Sequence, residues 1–76
     1  NIFRESVTSF DSAQNIVVLK TMPGLASAAC SAVDGMHLPK MVGSLAGDDT
    51  AILIMRTTQD AEELCLEIVK MLEKNP

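Results

Sequence analysis

Tryptophan and tyrosine are absent from these 76 residues, and Phe3 and Phe10 are the only aromatic side chains. Stacking on single-stranded nucleic acid needs a platform of several rings, which two phenylalanines do not make. Basic side chains are also few: six Lys and Arg stand against ten Asp and Glu, for a net charge of -4. Phosphate neutralisation needs a basic face, so this segment does not itself read as a nucleic-acid binder. The single histidine, His37, falls in a connector with no nucleophile or acidic partner placed beside it, and reads as a surface or interface residue. Ser27 and Ser31 have no base at hand, so nucleophilic catalysis finds no support and no enzyme activity is expected. Cys30 and Cys65 lack paired spacing, which argues against a disulfide framework or a zinc site. They read as buried free thiols of a cytoplasmic protein. No apolar run reaches the roughly 18–20 residues of a membrane span, and no leader pattern is present. Because the chain starts at Asn1 without Met, it is expected to be a fragment whose upstream part is missing.

Apolar residues, by contrast, are plentiful, at 47%. A single domain of this length buries only about 60–65% of its unfolded surface, so its own core is marginal. The apolar surplus therefore implies contacts with other chains.

The stretch that organises the chain is Gly43-Ser44-Leu45-Ala46-Gly47-Asp48-Asp49-Thr50, followed by the apolar run Ala51-Ile52-Leu53-Ile54-Met55. Glycines at 43 and 47 permit backbone shapes or close approaches that a side chain obstructs. Consecutive strand residues point to opposite faces, so Asp48 and Asp49 serve one ligand only if the chain bends there. Like charges this close repel unless a cation or several donors lie between them. The corner thus reads as an anionic site. Two other readings compete: an ordinary solvated turn, and oxygen ligation of Mg²⁺ or Ca²⁺ by Asp34, Asp48 and Asp49, which lacks a ligand-spaced loop.

The rest of the chain supplies the frame. Residues 4–11 read as a weakly alternating edge strand, 11–15 as a hairpin loop of four or five residues, and Ile16–Thr21 as a strand apolar on both faces. Pro23 suits a first helical turn. Leu25, Ala28, Ala29, Ala32 and Val33 then recur at helical spacing, and Gly35 is expected as a left-handed cap after Asp34. The other positions of that helix are small, so something can approach its backbone closely. Strands are expected over Met41–Ala46 and Thr50–Arg56. Thr57 and Asp60 open a last helix with Ala61, Leu64, Cys65, Ile68 and Leu72 inward. Glu62, Glu63, Glu67, Lys70, Glu73 and Lys74 form its solvated face. Five methionines (Met22, Met36, Met41, Met55 and Met71) read as core or interface fillers. The order β-β-α-β-β-α predicts an α+β fold, a four-stranded antiparallel sheet with two helices packed on one face. Two helices cannot also cover the other face, which is then expected to meet another subunit.

Thr21-Met22-Pro23-Gly24, the alanine-rich helix ending at Asp34, and the Gly43–Thr50 block together resemble the C-terminal domain of bacterial arginine repressors, in order and over nearly the whole of residues 1–76. Ala46-Gly47-Asp48-Asp49-Thr50 followed by an apolar strand is the most specific part. The resemblance implies an oligomerisation and effector domain of a cytoplasmic transcriptional regulator of arginine metabolism. It implies a homo-hexamer of two stacked trimers with L-arginine bound between them, no other cofactor, no metal and no membrane. Operator DNA would be reached only through a winged-helix domain preceding this one. The family's ligand contacts fall on Ser27, Asp34, Ser44, Ala46, Asp48 and Asp49. A guanidinium presents its donors in a planar fork that a carboxylate accepts in bidentate fashion, which singles out the paired aspartates. Asp34 and the corner carbonyls are further candidates for the ligand's donors. Family members commonly carry Gln at the position of Ser27, Thr at that of Ser44, and a polar or small residue at that of Leu25. An assembly domain of the same shape with weak or lost arginine binding is therefore the alternative.

Overall fold

The computed structural model describes residues 1–73, so Lys74, expected on the solvated face of the last helix, lies outside the described residues. The elements are α1 (Ile2–Ser6), β1 (Val7–Ala13), β2 (Ile16–Thr21), α2 (Ala26–Asp34), β3 (Met41–Ala46), β4 (Thr50–Met55) and α3 (Thr58–Leu72). The strands form one antiparallel sheet in the order β1-β2-β4-β3. The α+β expectation holds, with one helix more than the sequence reading supplied. Residues 4–6, assigned to the first strand, belong instead to α1, and β1 begins at Val7.

Five residues are too few to hold a helix by propensity. Tertiary contacts hold α1 instead. The Asn1 side chain caps it by accepting from the Arg4 amide at 3.2 Å, and Phe3, 1% exposed, enters the core. Arg4 Nε reaches the Met71 carbonyl of α3 at 3.5 Å. The short helix thereby contacts both α2 and α3.

Alternation decides which side of the sheet is covered. Val17 and Leu19 of β2 and Ala51, Leu53 and Met55 of β4 point toward the helices and are buried. With Phe3, Ala26, Ala29, Val33, Ala61, Leu64 and Ile68 they form the core. α2 contacts β2, β3 and β4, and α3 contacts β1, β2 and β4. On the opposite face Ile16 pairs with Ile54, and Val18 with Ile52, which pairs in turn with Leu45. Those four β2 and β4 residues are only half-buried, and Leu45 is 72% exposed. No described element covers that face.

Several local expectations change. The β1–β2 connection is a two-residue turn, Gln14-Asn15, rather than a loop of four or five residues. It closes tightly because Gln14 takes a left-handed φ of 55°. Asn15 is tied to β4 through Nδ2 donating to the Met55 carbonyl at 3.1 Å and the Met55 amide donating to the Asn15 carbonyl at 2.8 Å. Pro23 precedes α2 instead of opening it. Gly24, at φ 80°, lets the Leu25 amide bond the Met22 carbonyl at 3.1 Å, as a Pro-Gly reverse turn requires. The buried stripe of α2 is Ala26, Ala29, Cys30 and Val33, shifted by a residue from the expected one; in a run of small residues the apolar signal hardly distinguishes neighbouring stripes. Gly35 is right-handed at φ -66°, and the left-handed residue is His37, at φ 53°. The helix end instead unwinds through short-range bonds from the Met36 and His37 amides to the Val33 and Asp34 carbonyls.

Thr57 caps α3 as expected, its hydroxyl accepting from the Asp60 amide at 3.0 Å. Asp60 does not reach back; its carboxylate lies 3.7 Å from Lys40. Thr57→Ala should therefore cost about 1 kcal/mol in a urea titration, the ordinary value of an N-cap, while Thr57→Ser should stay close to the parent.

Candidate functional site

The bend that the two aspartates need is the three-residue connection between β3 and β4. The Gly47 amide donates to the Thr50 carbonyl at 2.8 Å and closes the hairpin. A Cβ on residue 47 would lie 3.4 Å from that same carbonyl oxygen, an ordinary contact, so the bend does not itself demand glycine. Gly43 has no such contact among the described residues and sits beside a register shift in β3.

The corner is fastened by its own backbone. The Asp49 carbonyl accepts from the Thr21 amide at the end of β2, at 2.8 Å, and the Asp48 carbonyl accepts from the Ala26 amide at the start of α2, at 3.2 Å. These two bonds explain why the Thr21–Gly24 turn and the acidic corner belong together, and they seat Ser27 beside the corner. The carbonyls of Asp48 and Asp49 thus each accept one bond within the chain.

The six candidate residues fall into two clusters along the edge formed by α2 and β3. Ser27, Asp48 and Asp49, all exposed, meet at the first end of α2. Asp34 lies at its last residue, roughly 10 Å further along at 1.5 Å per residue, where Ser44 Oγ donates to Asp34 Oδ1 at 3.2 Å. Ala46, half-buried, lies on β3 between Ser44 and the corner and pairs with Ala51. Ser27, Ser31 and Asp34 recur at helical spacing on the exposed side of α2.

Charges at this edge are largely uncompensated. None of Asp34, Asp48 or Asp49 is in an ion pair among the described residues. Asp49 does have a neighbour that sequence reasoning missed: Thr50 Oγ1 donates to Asp49 Oδ1 at 3.0 Å, and Lys20 Nζ donates to Thr50 Oγ1 at 3.0 Å. Only the strand register, which pairs Lys20 with Thr50, brings these three together. At the other cluster, burial raises the Cys30 thiol pKa, a hydrogen bond with Ser44 opposes the rise, and the Asp34 charge adds to it. That thiol stays protonated near neutral pH. Cys65 is half-buried and likewise free.

Among the described residues no group of three or more His, Cys, Asp or Glu side chains is arranged to hold a metal ion. Surface depressions lie elsewhere, one along Glu63, Leu66, Glu67 and Lys70 of α3 and one between Leu38, Pro39, Met55 and Leu64. On a single chain the acidic edge is open surface. A small cation bound there would remain largely in water unless a second surface closed over it. No helix of the described residues is long and apolar enough to cross a membrane.

The family model described as "Arginine repressor, C-terminal domain" matches residues 3–70. Relatives called arginine repressor include one from Acetivibrio thermocellus, 47% identical over 70 residues, covering 92% of this chain and 46% of the relative. Another, from Lachnospira eligens, is 42% identical over 74 residues, covering 97% of this chain and 49% of its own length. A third, from Ruminiclostridium cellulolyticum, is 42% identical over 72 residues, with 95% and 48% covered. The chain thus spans about half the length of the curated relatives it matches.

Proposed function

The chain belongs to the arginine repressor C-terminal domain family, and from that premise we propose that it is the oligomerisation and L-arginine-sensing domain of a cytoplasmic transcriptional regulator of arginine metabolism. The observation that carries the arginine reading is the set of three exposed aspartates, Asp34, Asp48 and Asp49, on one edge with no ion-pair partner among the described residues. Carboxylates on open surface bind a free amino acid poorly, because water competes for every donor. Closed beneath a second copy, the same groups become strong charge-assisted acceptors.

The half-buried and exposed apolar side chains of the uncovered sheet face supply the reason for copies to assemble. In this proposal trimers form first, and arginine lies where two trimers stack, contacted by Ser27, Asp34, Ser44, Ala46, Asp48 and Asp49. Without ligand, clustered aspartates from several copies repel and hold the trimers weakly. Arginine replaces that repulsion with shared hydrogen bonds, so it favours the hexamer by its differential affinity for the assembled state. Assembly then presents several copies of an operator-binding domain, carried by the remaining length of the regulator, and avidity for paired operators rises.

Calorimetry with arginine, citrulline and lysine, run beside light scattering, tests the proposal. Arginine should bind and increase the assembly's mass, and citrulline, which lacks the cationic fork, should bind at least tenfold more weakly. Asp48→Asn and Asp49→Asn should each weaken arginine roughly tenfold or more, the ordinary cost of a lost charge-assisted bond. A chain that assembles identically with and without arginine, and takes up no heat of binding, would instead be the assembly domain without an effector that Ser27 and Ser44 suggested.

A further inference from the structure

The outward side of α3 is not the purely charged face that its sequence suggested. Leu66 and Val69 stand on it, 66% and 47% exposed, and border a shallow depression with Glu63, Glu67, Lys70 and Glu73. Glu63 and Glu67 also border the second depression, which Leu38, Pro39, Met55 and Leu64 line. Two partly apolar recesses thus share one acidic ridge. Little within the chain neutralises it. Glu67 lies 3.6 Å from Lys70, an exposed pair of the kind that contributes little. Among the described residues Glu63 accepts from the neutral Gln59 amide at 3.1 Å, and neither Glu63 nor Glu73 is in an ion pair. Ala61, Leu64 and Ile68 bury the other side of α3 against the core. Copies that meet through the uncovered sheet face therefore leave this surface open.

Resting on the regulator reading above, we infer that this side of α3 is a docking surface for the basic, phosphate-binding face of the regulator's own operator-binding half. A domain that holds DNA must carry Lys and Arg on one face. An acidic ridge between apolar recesses complements both the cationic heads and the aliphatic stems of those side chains. Reach points to the same occupant. With this chain as the C-terminal half, the other half joins ahead of α1, and α1 lies against the end of α3, Arg4 Nε meeting the Met71 carbonyl at 3.5 Å. Leu66 lies about 7.5 Å back along the same helix, at 1.5 Å per residue. A tether that short gives an effective concentration on the order of millimolar, so a weak contact suffices. The face that docks is the face that DNA needs. Ridge and operator phosphates therefore compete for it, and the docked regulator is closed to its operator.

The test uses the full-length regulator. Leu66→Ser changes no charge and alters an exposed side chain, so the fold is preserved. It should tighten operator binding roughly threefold or more in a fluorescence-anisotropy titration, because affinity is reduced by the fraction of molecules held closed. The Glu63→Gln, Glu67→Gln, Glu73→Gln triple variant should do the same. Neither should alter arginine binding in calorimetry, since none of these residues lies on the α2–β3 edge. A zero-length carbodiimide, which joins carboxylates to amines in contact, gives a second readout by mass spectrometry. Glu63 or Glu67 should be joined to lysines outside the 76 residues, and saturating operator DNA should suppress those links. A gain seen with the triple variant but not with Leu66→Ser would be a bulk charge effect and would overturn the inference. So would links that operator DNA leaves unchanged, or links only to lysines of this chain or of a second copy of it. A regulator that binds no operator would instead sink the transcriptional reading, and the links would still decide whether the two halves meet on α3.

Discussion

Ile54→Glu should leave a folded chain that no longer assembles. Ile54 lies on the uncovered face of the central strand β4, opposite Ile16 of β2, and is only half-buried within one chain. A carboxylate there remains in contact with water in the monomer, so the fold itself loses little. In the proposed assembly the same carboxylate faces the apolar side chains of another copy with no described cation paired to it across the sheet. Burying an unpaired charge costs several kcal/mol even after relaxation, and each copy brings one. A penalty of about 4 kcal/mol already raises a dissociation constant by roughly a thousandfold. Sedimentation velocity should then report a monomer at micromolar concentration, with the far-ultraviolet circular dichroism unchanged. Thr8→Glu, on an exposed position of the edge strand β1, serves as the control and should assemble normally. An Ile54→Glu chain of undiminished mass would mean that copies meet through some other surface.

How much of this was legible in the sequence depends on how much signal each residue carries. The runs Ile16–Leu19 and Ala51–Met55 read as strands apolar on both faces because every residue in them is β-branched, long and apolar, or alanine. The structure divides them as that reading requires: Val17, Leu19, Ala51, Leu53 and Met55 buried, Ile16, Val18, Ile52 and Ile54 on the uncovered side. Thr57 announced α3 through an N-cap that the structure retains. The helix α2 was legible as a helix but not in its rotation, since Ala26, Ala28, Ala29 and Ala32 are identical and cannot mark one stripe. Cys30 and Ala26 accordingly lie in the buried stripe, while Ala28 and Ala32 are only half-buried. α1 was not legible at all: five residues carry no period, and what makes them helical is Phe3 meeting residues more than a dozen positions away.

The acidic corner divides in the same way. Gly47-Asp48-Asp49 stood out because two adjacent carboxylates after a glycine demand an explanation, and the hairpin supplies the bend. What the sequence could not disclose is what the corner's other groups do. The carbonyls of Asp48 and Asp49 are committed to Ala26 and Thr21, and Lys20 stands beside Thr50 only because of the antiparallel register between β2 and β4. Contacts of that kind depend on pairing across about thirty positions, and no local pattern of residue types encodes them. The Asp34–Ser44 bond is of the same sort, joining the end of α2 to the middle of β3.

Phe3→Ala should be the most damaging single truncation in the chain, and it tests whether α1 is part of the fold or an appendage to it. Phe3 is among the largest side chains with less than 2% exposure, together with Leu19, Leu53, Ile68 and Val17. Removing a buried phenylalanine costs about 3–5 kcal/mol through lost transfer energy and the cavity left behind. A domain of this size has roughly 4–11 kcal/mol in total, so the variant should be close to unfolding at 37 °C. The neighbouring Ile2, 59% exposed, provides the contrast, and Ile2→Ala should change stability by less than about 0.5 kcal/mol. Because assembly contributes concentration-dependent stability of its own, both substitutions belong in the Ile54→Glu background, where urea titration reads the single chain. The slope of that titration separates two ways of failing. An unchanged slope with a lower midpoint means that α1 stays docked around a cavity, whereas a reduced slope means that α1 has already left the native state and less surface remains to be exposed. A loss below 1 kcal/mol would show that the sheet, α2 and α3 close a sufficient core by themselves, and that Phe3 is buried without being needed.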